Sequence, residues 1–337
     1  MNLTKIAAGV AALSTLAALS TLAVLPALAT DKPLLTPQPP LEVPGGPGGW
    51  DWMLVDAPRR RLLASHPGTK TLAVLDLQKT GGKNALTQVP TGVEINGIAV
   101  DAADNKLFTA GGGQKVVVFD NTTLAKTGEI ALSGPGDDIV LDPKTDTLYV
   151  CHDDGAEDWT VDAKTNVLTG SVAIAGAPEY VAYDVGTDRL YQNIKPANVV
   201  QVINPATHVV EATWPTAPMT SPHGLAIDAK MRRVFAAGQG KVVMLDQKTG
   251  KRLASADIAP GYVDQIAFDA GKKRLYCACG DAGVISVVGE TDTGLTLLGA
   301  VPTHKKSHTL AVDPATHAVW ISYTDAGGSY LQQYTAP

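Results

Sequence analysis

Seven side chains of the kinds that bind metals or exchange protons recur at regular intervals along the 337-residue chain. They are Asp51, Asn96, Asp137, Glu179, His223, Asp264 and His308. Imidazole and carboxylate groups suit a transition metal with open positions, whereas oxygen-rich clusters suit Ca²⁺ or Mg²⁺. Paired carboxylates can instead raise one another's pKa and serve as general acid and base. A polar lining without chemistry is the alternative for all seven.

Each of these side chains lies five residues before the aspartate of a repeated segment. Six segments share one template, namely GIAVDAADNKLF, DIVLDPKTDTLY, YVAYDVGTDRLY, GLAIDAKMRRVF, QIAFDAGKKRLY and TLAVDPATHAVW, and WMLVDAPRRRLL is a looser copy. The shared aspartates are Asp56, Asp101, Asp142, Asp184, Asp228, Asp269 and Asp313. Their spacing of 41 to 45 residues is typical of propellers and other repeat arrays.

Every repeat predicts four short strands and no segment has sustained helical periodicity, so the fold is predicted to be all-β. Radial repetition of seven such sheets gives a seven-bladed β-propeller with four-stranded antiparallel blades. The last repeat has room for only three strands before Pro337. Because PLEVPGG at Pro40–Gly46 echoes LTQVPTG at the end of the first repeat, we predict that residues 37–44 complete the last blade and close the ring.

The repeats resemble those of the YVTN-type (YncE-like) seven-bladed propellers. Leu148-Tyr149-Val150 matches the start of that family's second strand, and Val200-Gln201-Val202-Ile203-Asn204 approximates its third strand. The resemblance covers almost the whole chain after residue 29 and implies the propeller fold. It implies no particular activity, because that family includes many propellers of unassigned role and a shared fold does not carry function.

In a propeller the first strand of each blade lines the central channel, so the seven side chains are expected to ring one mouth, which we call the top. A second set of positions, ten residues after each aspartate, adds His66, His152 and Cys279 to the same end. We expect His223, Asp264 and His308, with Cys279 behind them, to form a candidate site for Zn, Cu or Ca. Asp51, Asn96, Asp137, Glu179, His66 and His152 complete the expected ligand-binding mouth.

The N-terminus has the features of a secretory signal peptide. A lysine-bearing start is followed by an apolar run from Ile6 to Leu28 that ends in Ala27-Leu28-Ala29, a cleavage pattern. We therefore predict a signal peptide at 1–29, a flexible lead-in at 30–36 and a propeller at 37–337, in an exported and periplasmic protein. We expect no membrane span after cleavage, because no other segment is long and apolar enough.

The composition restricts the function classes. A net charge of −6 argues against nucleic-acid binding, which needs a basic face. Basic residues concentrate in the turns of the opposite, bottom face. The leading function is an exported protein that binds a small ligand or divalent metal at the top mouth. The alternatives are a metal-assisted hydrolase, lactonase or lyase at the same mouth, and a periplasmic interaction platform that uses the basic bottom to bind a protein partner.

Overall fold

A computed structural model describes residues 33–79 and 85–337 as a seven-bladed propeller. Six blades are four-stranded sheets, and the seventh combines the C-terminal strands with N-terminal ones. The prediction of fold class is confirmed. The predicted signal peptide at 1–29 lies outside the described residues. Among the residues that are described, no helix is long and apolar enough to cross a membrane.

The strands follow one another outward from the channel in each blade. Blade one has Met53–Asp56, Arg61–His66, Thr71–Asp76 and Leu86–Pro90, and blade two has Ile98–Asp101, Lys106–Thr109, Lys115–Asp120 and Lys126–Ala131. Blade three has Gly136–Asp142, Thr147–His152, Glu157–Asp162 and Val167–Ala173, and blade four has Pro178–Asp184, Arg189–Ile194, Val199–Asn204 and Val209–Pro215. Blade five has Leu225–Asp228, Arg233–Gly238, Lys241–Asp246 and Arg252–Asp257. Blade six has Ile266–Asp269, Arg274–Cys279, Val284–Glu290 and Leu295–Pro302, and blade seven has Leu310–Val312, Val319–Asp325 and Gly328–Thr335. A short 3₁₀ turn, Pro67–Thr69, follows the second strand of blade one.

The repeated aspartate ends each inner strand and shapes the turn that follows it. Asp101, for example, accepts hydrogen bonds from the backbone N–H groups of Ala103 and Asp104 at 3.0 and 3.1 Å. The chain then reverses through a left-handed residue four positions after the aspartate. All seven repeats have this conformation, at Arg60, Asn105, Asp146, Asp188, Arg232, Lys273 and His317. The self-capping aspartate and the left-handed residue together define a tight turn on the bottom face.

The ring is closed by N-terminal residues, as predicted. Leu41–Val43 pairs antiparallel with the last strand in the register Leu41↔Leu331, and Thr36–Pro37 extends the same pairing. Leu35 is buried in the core between blades six and seven. The compact unit therefore starts at Leu34, before the boundary at residue 37 that the sequence suggested.

The core lies between the blades. Seven apolar clusters of described residues each fill the space between two neighbouring blades. Large side chains on the second strand supply much of this packing, at one equivalent position per blade. These residues are Leu63, Phe108, Tyr149, Tyr191, Phe235, Tyr276 and Trp320. Blade-to-blade burial holds the inner strands in a closed ring and so fixes the ends of those strands around one axis.

Candidate functional site

The polar side chains of the top mouth pair across neighbouring blades. Asn96 of blade two donates a hydrogen bond to the Asp137 carboxylate of blade three at 3.1 Å. His308 of blade seven places its Nδ1 2.6 Å from the Asp264 carboxylate of blade six. Burial alone would lower the pKa of His308, but the hydrogen bond and charge of Asp264 outweigh it and raise that pKa. Asp264 therefore favours the protonated form of the His308 imidazole, and the two side chains form an ion pair in that form.

Glu179 is the acid of the third pair, between blades four and five. Its carboxylate lies 3.5 Å from the Nε2 of His223 and forms an ion pair with Lys195. Burial raises the pKa of Glu179 to about 7, although Lys195 acts in the opposite direction. Burial lowers the pKa of His223, whose Nδ1 donates a hydrogen bond to the Ser221 carbonyl at 2.9 Å. Glu179 therefore exchanges its proton close to neutral pH, beside a neutral imidazole.

Asp51 is the only acid of this ring that has neither a hydrogen-bond donor nor a counter-ion among the described residues. Burial raises its pKa well above the usual range, and the charges of Asp137 and Asp264 add to the effect. Burial also raises the pKa of Asp137 to about 6. Asp51, Asp137, Asp264 and Glu179 thus share one poorly solvated region. Among the described residues, Lys195 and His308 are the basic partners of these acids. Such a region attracts cations.

Three side chains close the channel directly beneath this mouth. Trp52 of blade one and Tyr180 of blade four meet with their ring centroids 4.5 Å apart. Gln265 of blade six hydrogen-bonds with both the N–H and the carbonyl of Met53, at 3.2 and 2.7 Å, and accepts from the N–H of Leu310 at 3.1 Å. The Tyr180 hydroxyl interacts with the same glutamine. We call Trp52, Tyr180 and Gln265 the floor. Together with Leu310, which Gln265 contacts, they join blades one, four, six and seven across the axis.

His66 is placed away from the mouth, although the sequence grouped it there. Its ring stacks on Trp50 at 4.0 Å and is fully buried between blades one and seven. Nδ1 lies 2.9 Å from the Thr69 hydroxyl and Nε2 lies 3.1 Å from the Ser329 hydroxyl. Both ring nitrogens are therefore occupied, and His66 has a packing role in this arrangement.

His152 is also separated from the inner ring. It stacks on Trp159 at 4.3 Å in blade three, and its Nδ1 lies 3.7 Å from the Glu157 carboxylate. A side chain at Gly134 or Gly155 would collide with the imidazole, so the two glycines make room for it. His152 thus belongs to the outer part of the top face.

Cys279 does not join the proposed metal ligands. Its thiol is fully buried in the apolar cluster between blades five and six and lies 3.4 Å from the Ser286 hydroxyl. All three cysteines are buried and free, as expected from their positions. In the part of the chain that the structure describes, no group of three or more His, Cys, Asp or Glu side chains is arranged to hold a metal ion. A metal at His223, Asp264, His308 and Cys279 stays a prediction and would require these side chains to rearrange.

Ion pairs neutralise part of the charge of the basic bottom face. Arg60 donates to the Asp313 carboxylate with one bond of 2.7 Å, and Lys144 pairs with Asp188. Arg233 is buried and pairs with Glu290 at 2.6 Å, so it is a core residue and not a surface charge. Ion pairs thus offset part of the basic charge of this face, and the three named here join neighbouring blades.

Sequence reasoning did not assign a role to several residues that shape the mouth. Tyr262 contacts the edge of the His223 ring with centroids 4.4 Å apart. The buried Asp138 accepts hydrogen bonds from the N–H groups of Ile139 and Val181 at 2.8 and 2.9 Å, and so joins the inner strands of blades three and four. Tyr262 lies two positions before a ring residue and Asp138 one position after another, a proximity that could have identified both.

Comparisons with known proteins show the fold of the chain. No protein-family model matches it, and no curated protein matches it. Solved structures that are similar include a chain of a mitotic checkpoint complex, with a TM-score of 0.76, 14% identity and coverage of 93% of this chain and 97% of that one. The WD40 repeats of RRP9 match with a TM-score of 0.74 and 9% identity over 89% of this chain and 100% of that one. A chain of Kuenenia stuttgartiensis hydrazine synthase matches with a TM-score of 0.71 and 14% identity over 86% and 96%.

Proposed function

We propose that the chain is a binding protein that takes a cationic ligand, either a divalent metal ion or a small organic cation, at the top mouth of the propeller. The observation that carries this proposal is the carboxylate of Asp51, which is repelled by four other acids and has no described donor or counter-ion. A cation placed there would supply the missing charge. Its binding would stabilise the ionised form of every carboxyl group around it.

The aromatic residues of the mouth favour an organic cation as one ligand class. Trp52 and Tyr180 form the surface beneath the acids, and Tyr262 lies at their side. Aromatic faces attract ammonium groups by cation–π interactions. A metal ion would use the carboxylates, with His223 and His308 as further ligands.

The test is calorimetric titration of the purified protein with Zn²⁺, Cu²⁺, Ca²⁺ and a short alkyl diammonium ion at pH 8. The wild type is expected to bind at least one of them with a stoichiometry near one, and Asp51→Asn is expected to weaken that binding at least tenfold. Asp104→Asn, which changes an exposed carboxylate on the bottom face, is the matched control and is expected to bind like the wild type. Absence of binding by all four cations would refute the proposal, as would equal binding by Asp51→Asn.

Acid–base catalysis at the same mouth is a second candidate, favoured by Glu179. A carboxyl group with a pKa of about 7 is suited to proton transfer at neutral pH, and His223 and Lys195 lie beside it. A hydrolase, lactonase or lyase of this kind would turn over lactones or esters, with or without a bound metal. Turnover of such a panel should be abolished by Glu179→Gln and retained by Glu211→Gln on the outer strand of the same blade. Equal rates for the two variants would exclude Glu179 as the acid–base group.

A role as a protein-interaction platform is supported by the similarity to propeller chains of protein complexes. Because much of the bottom charge is internally paired, electrostatic recognition of an acidic partner there would depend on the unpaired residues Lys230, Arg232, Lys248 and Lys251.

We also propose that the repeats are of the YVTN type and that the chain is exported to the periplasm, on the strand motifs and the N-terminal pattern described above. Mass spectrometry of the N-terminus of the protein expressed in bacteria would test the cleavage.

A further inference from the structure

A cavity of 620 Å³ occupies the channel below the floor. It is bounded above by Tyr180 and Gln265 and reaches the bottom turns at Gly271, Pro314 and His317. The floor therefore divides the channel into two compartments, a polar one above and this cavity below. The acids of the upper ring do not line the lower compartment.

Apolar side chains form most of the wall of this lower cavity. They are formed by inner-strand residues of blades one, four, five, six and seven, among them Val55, Ala182, Ala226, Ile227, Phe268 and Val312. These side chains lie near the axis of the protein but remain partly exposed, because no residue of the described chain fills the space between them. The polar lining residues include Gln265, Asp269 and His317, and a concave site of this volume with a mainly apolar wall and a few polar groups is typical of small-molecule sites.

Charged groups at the bottom end of the cavity determine whether the head group of a bound ligand is positively or negatively charged. Asp269 accepts hydrogen bonds from the N–H groups of Gly271 and Lys272 at 2.9 and 3.1 Å, and its carboxylate also lies 2.9 Å from Nδ1 of His317. These contacts offset part of the charge of this acid. His317 is about one-third exposed, and its Nε2 has no described partner.

Basic groups without counter-ions lie on the next turn of the rim. Lys230 and Arg232 follow the cavity-lining strand Leu225–Asp228, and among the described residues neither forms an ion pair. Asp228, the last residue of that strand, accepts hydrogen bonds from the N–H groups of Lys230 and Met231 at 2.9 and 3.1 Å. This part of the rim is therefore available to an anion.

We infer that the lower channel is a second binding site, for an amphipathic carboxylate whose aliphatic or aromatic body lies in the cavity and whose head group meets Lys230 and Arg232. Burial of the apolar body removes its surface from water and displaces solvent from walls that offer it few hydrogen bonds. The carboxylate stays at the rim, where it keeps part of its hydration and gains the attraction of the basic groups.

The test is titration with dodecanoate below its micellar concentration, in parallel with dodecyltrimethylammonium and with acetate. Dodecanoate is expected to bind with a stoichiometry of one, and the ammonium compound and acetate at least tenfold more weakly. Ala226→Phe, which fills the cavity, is expected to weaken dodecanoate binding at least tenfold. Ala206→Phe, on an exposed bottom turn, is the matched control and should bind like the wild type.

A second variant keeps the test valid if Ala226→Phe does not fold. Lys230→Glu reverses the charge of a rim residue on an exposed turn. It is expected to weaken dodecanoate binding at least fivefold. The weak binding of the ammonium compound should stay unchanged or become stronger. Asp51→Asn should leave dodecanoate affinity unchanged, which separates this site from the top mouth. The inference is overturned if the wild type does not bind dodecanoate, if the ammonium compound binds equally well, or if a folded Ala226→Phe or Lys230→Glu protein binds like the wild type.

Discussion

Replacement of Glu179 by glutamine should stabilise the propeller at pH 8 but not at pH 4. The Glu179 pKa rises from 4.5 to about 7 in the folded protein, because its carboxyl group is buried at the crowded mouth. The folded state then binds more protons than the unfolded chain between these two values, so the free energy of unfolding falls as the pH rises through that range. Below pH 4.5 both states are protonated and the difference disappears.

The magnitude follows from the same shift. A tenfold change in proton affinity is worth about 1.4 kcal/mol, so ionised Glu179 lowers the free energy of unfolding by about 3 kcal/mol at pH 8. An unfolding entropy of roughly 2 cal/mol/K per residue, over roughly 300 residues, converts that energy to an increase in Tm of about 5 °C for Glu179→Gln. The ionisation penalty resembles the stability cost that binding sites often carry.

The assay is thermal and urea unfolding of wild type, Glu179→Gln and Glu211→Gln at pH 4, 6 and 8. Glu211 is the matched control because it lies in the same blade, yet hydrogen bonds from Asn204 and Arg189 lower its pKa. Its replacement should change stability at pH 8 by less than about 1 kcal/mol, in the destabilising direction. An equal gain for Glu179→Gln at pH 4 and pH 8, or no gain at pH 8, would refute the reasoning.

Three further outcomes are expected. Arg233→Met should lower the free energy of unfolding by about 3–5 kcal/mol in urea titrations, because it leaves the buried Glu290 carboxylate without its partner. Arg232→Met changes an exposed neighbour and should change the free energy of unfolding by less than about 0.5 kcal/mol. In NMR titrations the pKa of His308 should lie above 6.5 in the wild type and fall in Asp264→Asn, and a pKa unaffected by that substitution would contradict the ion pair. Val43→Asp should lower the Tm measured by calorimetry, because it buries a charge in the closing strand where Val43 is 1% exposed, and an unchanged Tm would mean that this strand does not close the ring.

The fold could be predicted because every repeat contains the same local sequence features. The aspartate before the left-handed turn, the alternating inner strand and the large residue of the second strand all repeat with one period. The missing fourth strand of blade seven was identified by the likeness of two short segments, and Leu41↔Leu331 is the pairing that follows. Repetition also predicted that residues five positions before each aspartate share one mouth, since equivalent strand ends in a closed ring must converge.

The second set of positions lies where the blades differ. The loop after His66 turns at once into the 3₁₀ turn Pro67–Thr69, and the imidazole rotates onto Trp50. His152 packs on Trp159 for a similar reason, because a nearby aromatic face is a better partner than a wet channel. Neither partner is visible in the spacing of the repeats, so the spacing alone groups these two histidines with the mouth.

Arg232 and Arg233 show how one dihedral angle changes the role of neighbouring residues. Arg232 has the left-handed conformation that ends the turn, with φ of 57°, and its side chain is exposed. Arg233 is the first residue of the next strand, is 5% exposed, and reaches across to the third strand of blade six. A count of basic residues treats the two alike, whereas the recurrence of a left-handed residue at this position separates a surface charge from a core ion pair.

Departures from the repeat determine what the channel can bind. A perfectly sevenfold propeller would have one continuous channel, because equivalent residues of all blades would leave the axis equally open. Here Trp52, Tyr180 and Gln265, each unlike its counterparts in other blades, meet at the axis and separate two compartments of opposite character. Removing part of the floor, for example by Trp52→Ala, would join the acidic mouth to the lower cavity, and the two proposed ligands would then compete for one space. Independent binding in the wild type and competition in that variant would show that the floor, and not the repeat, defines the two sites.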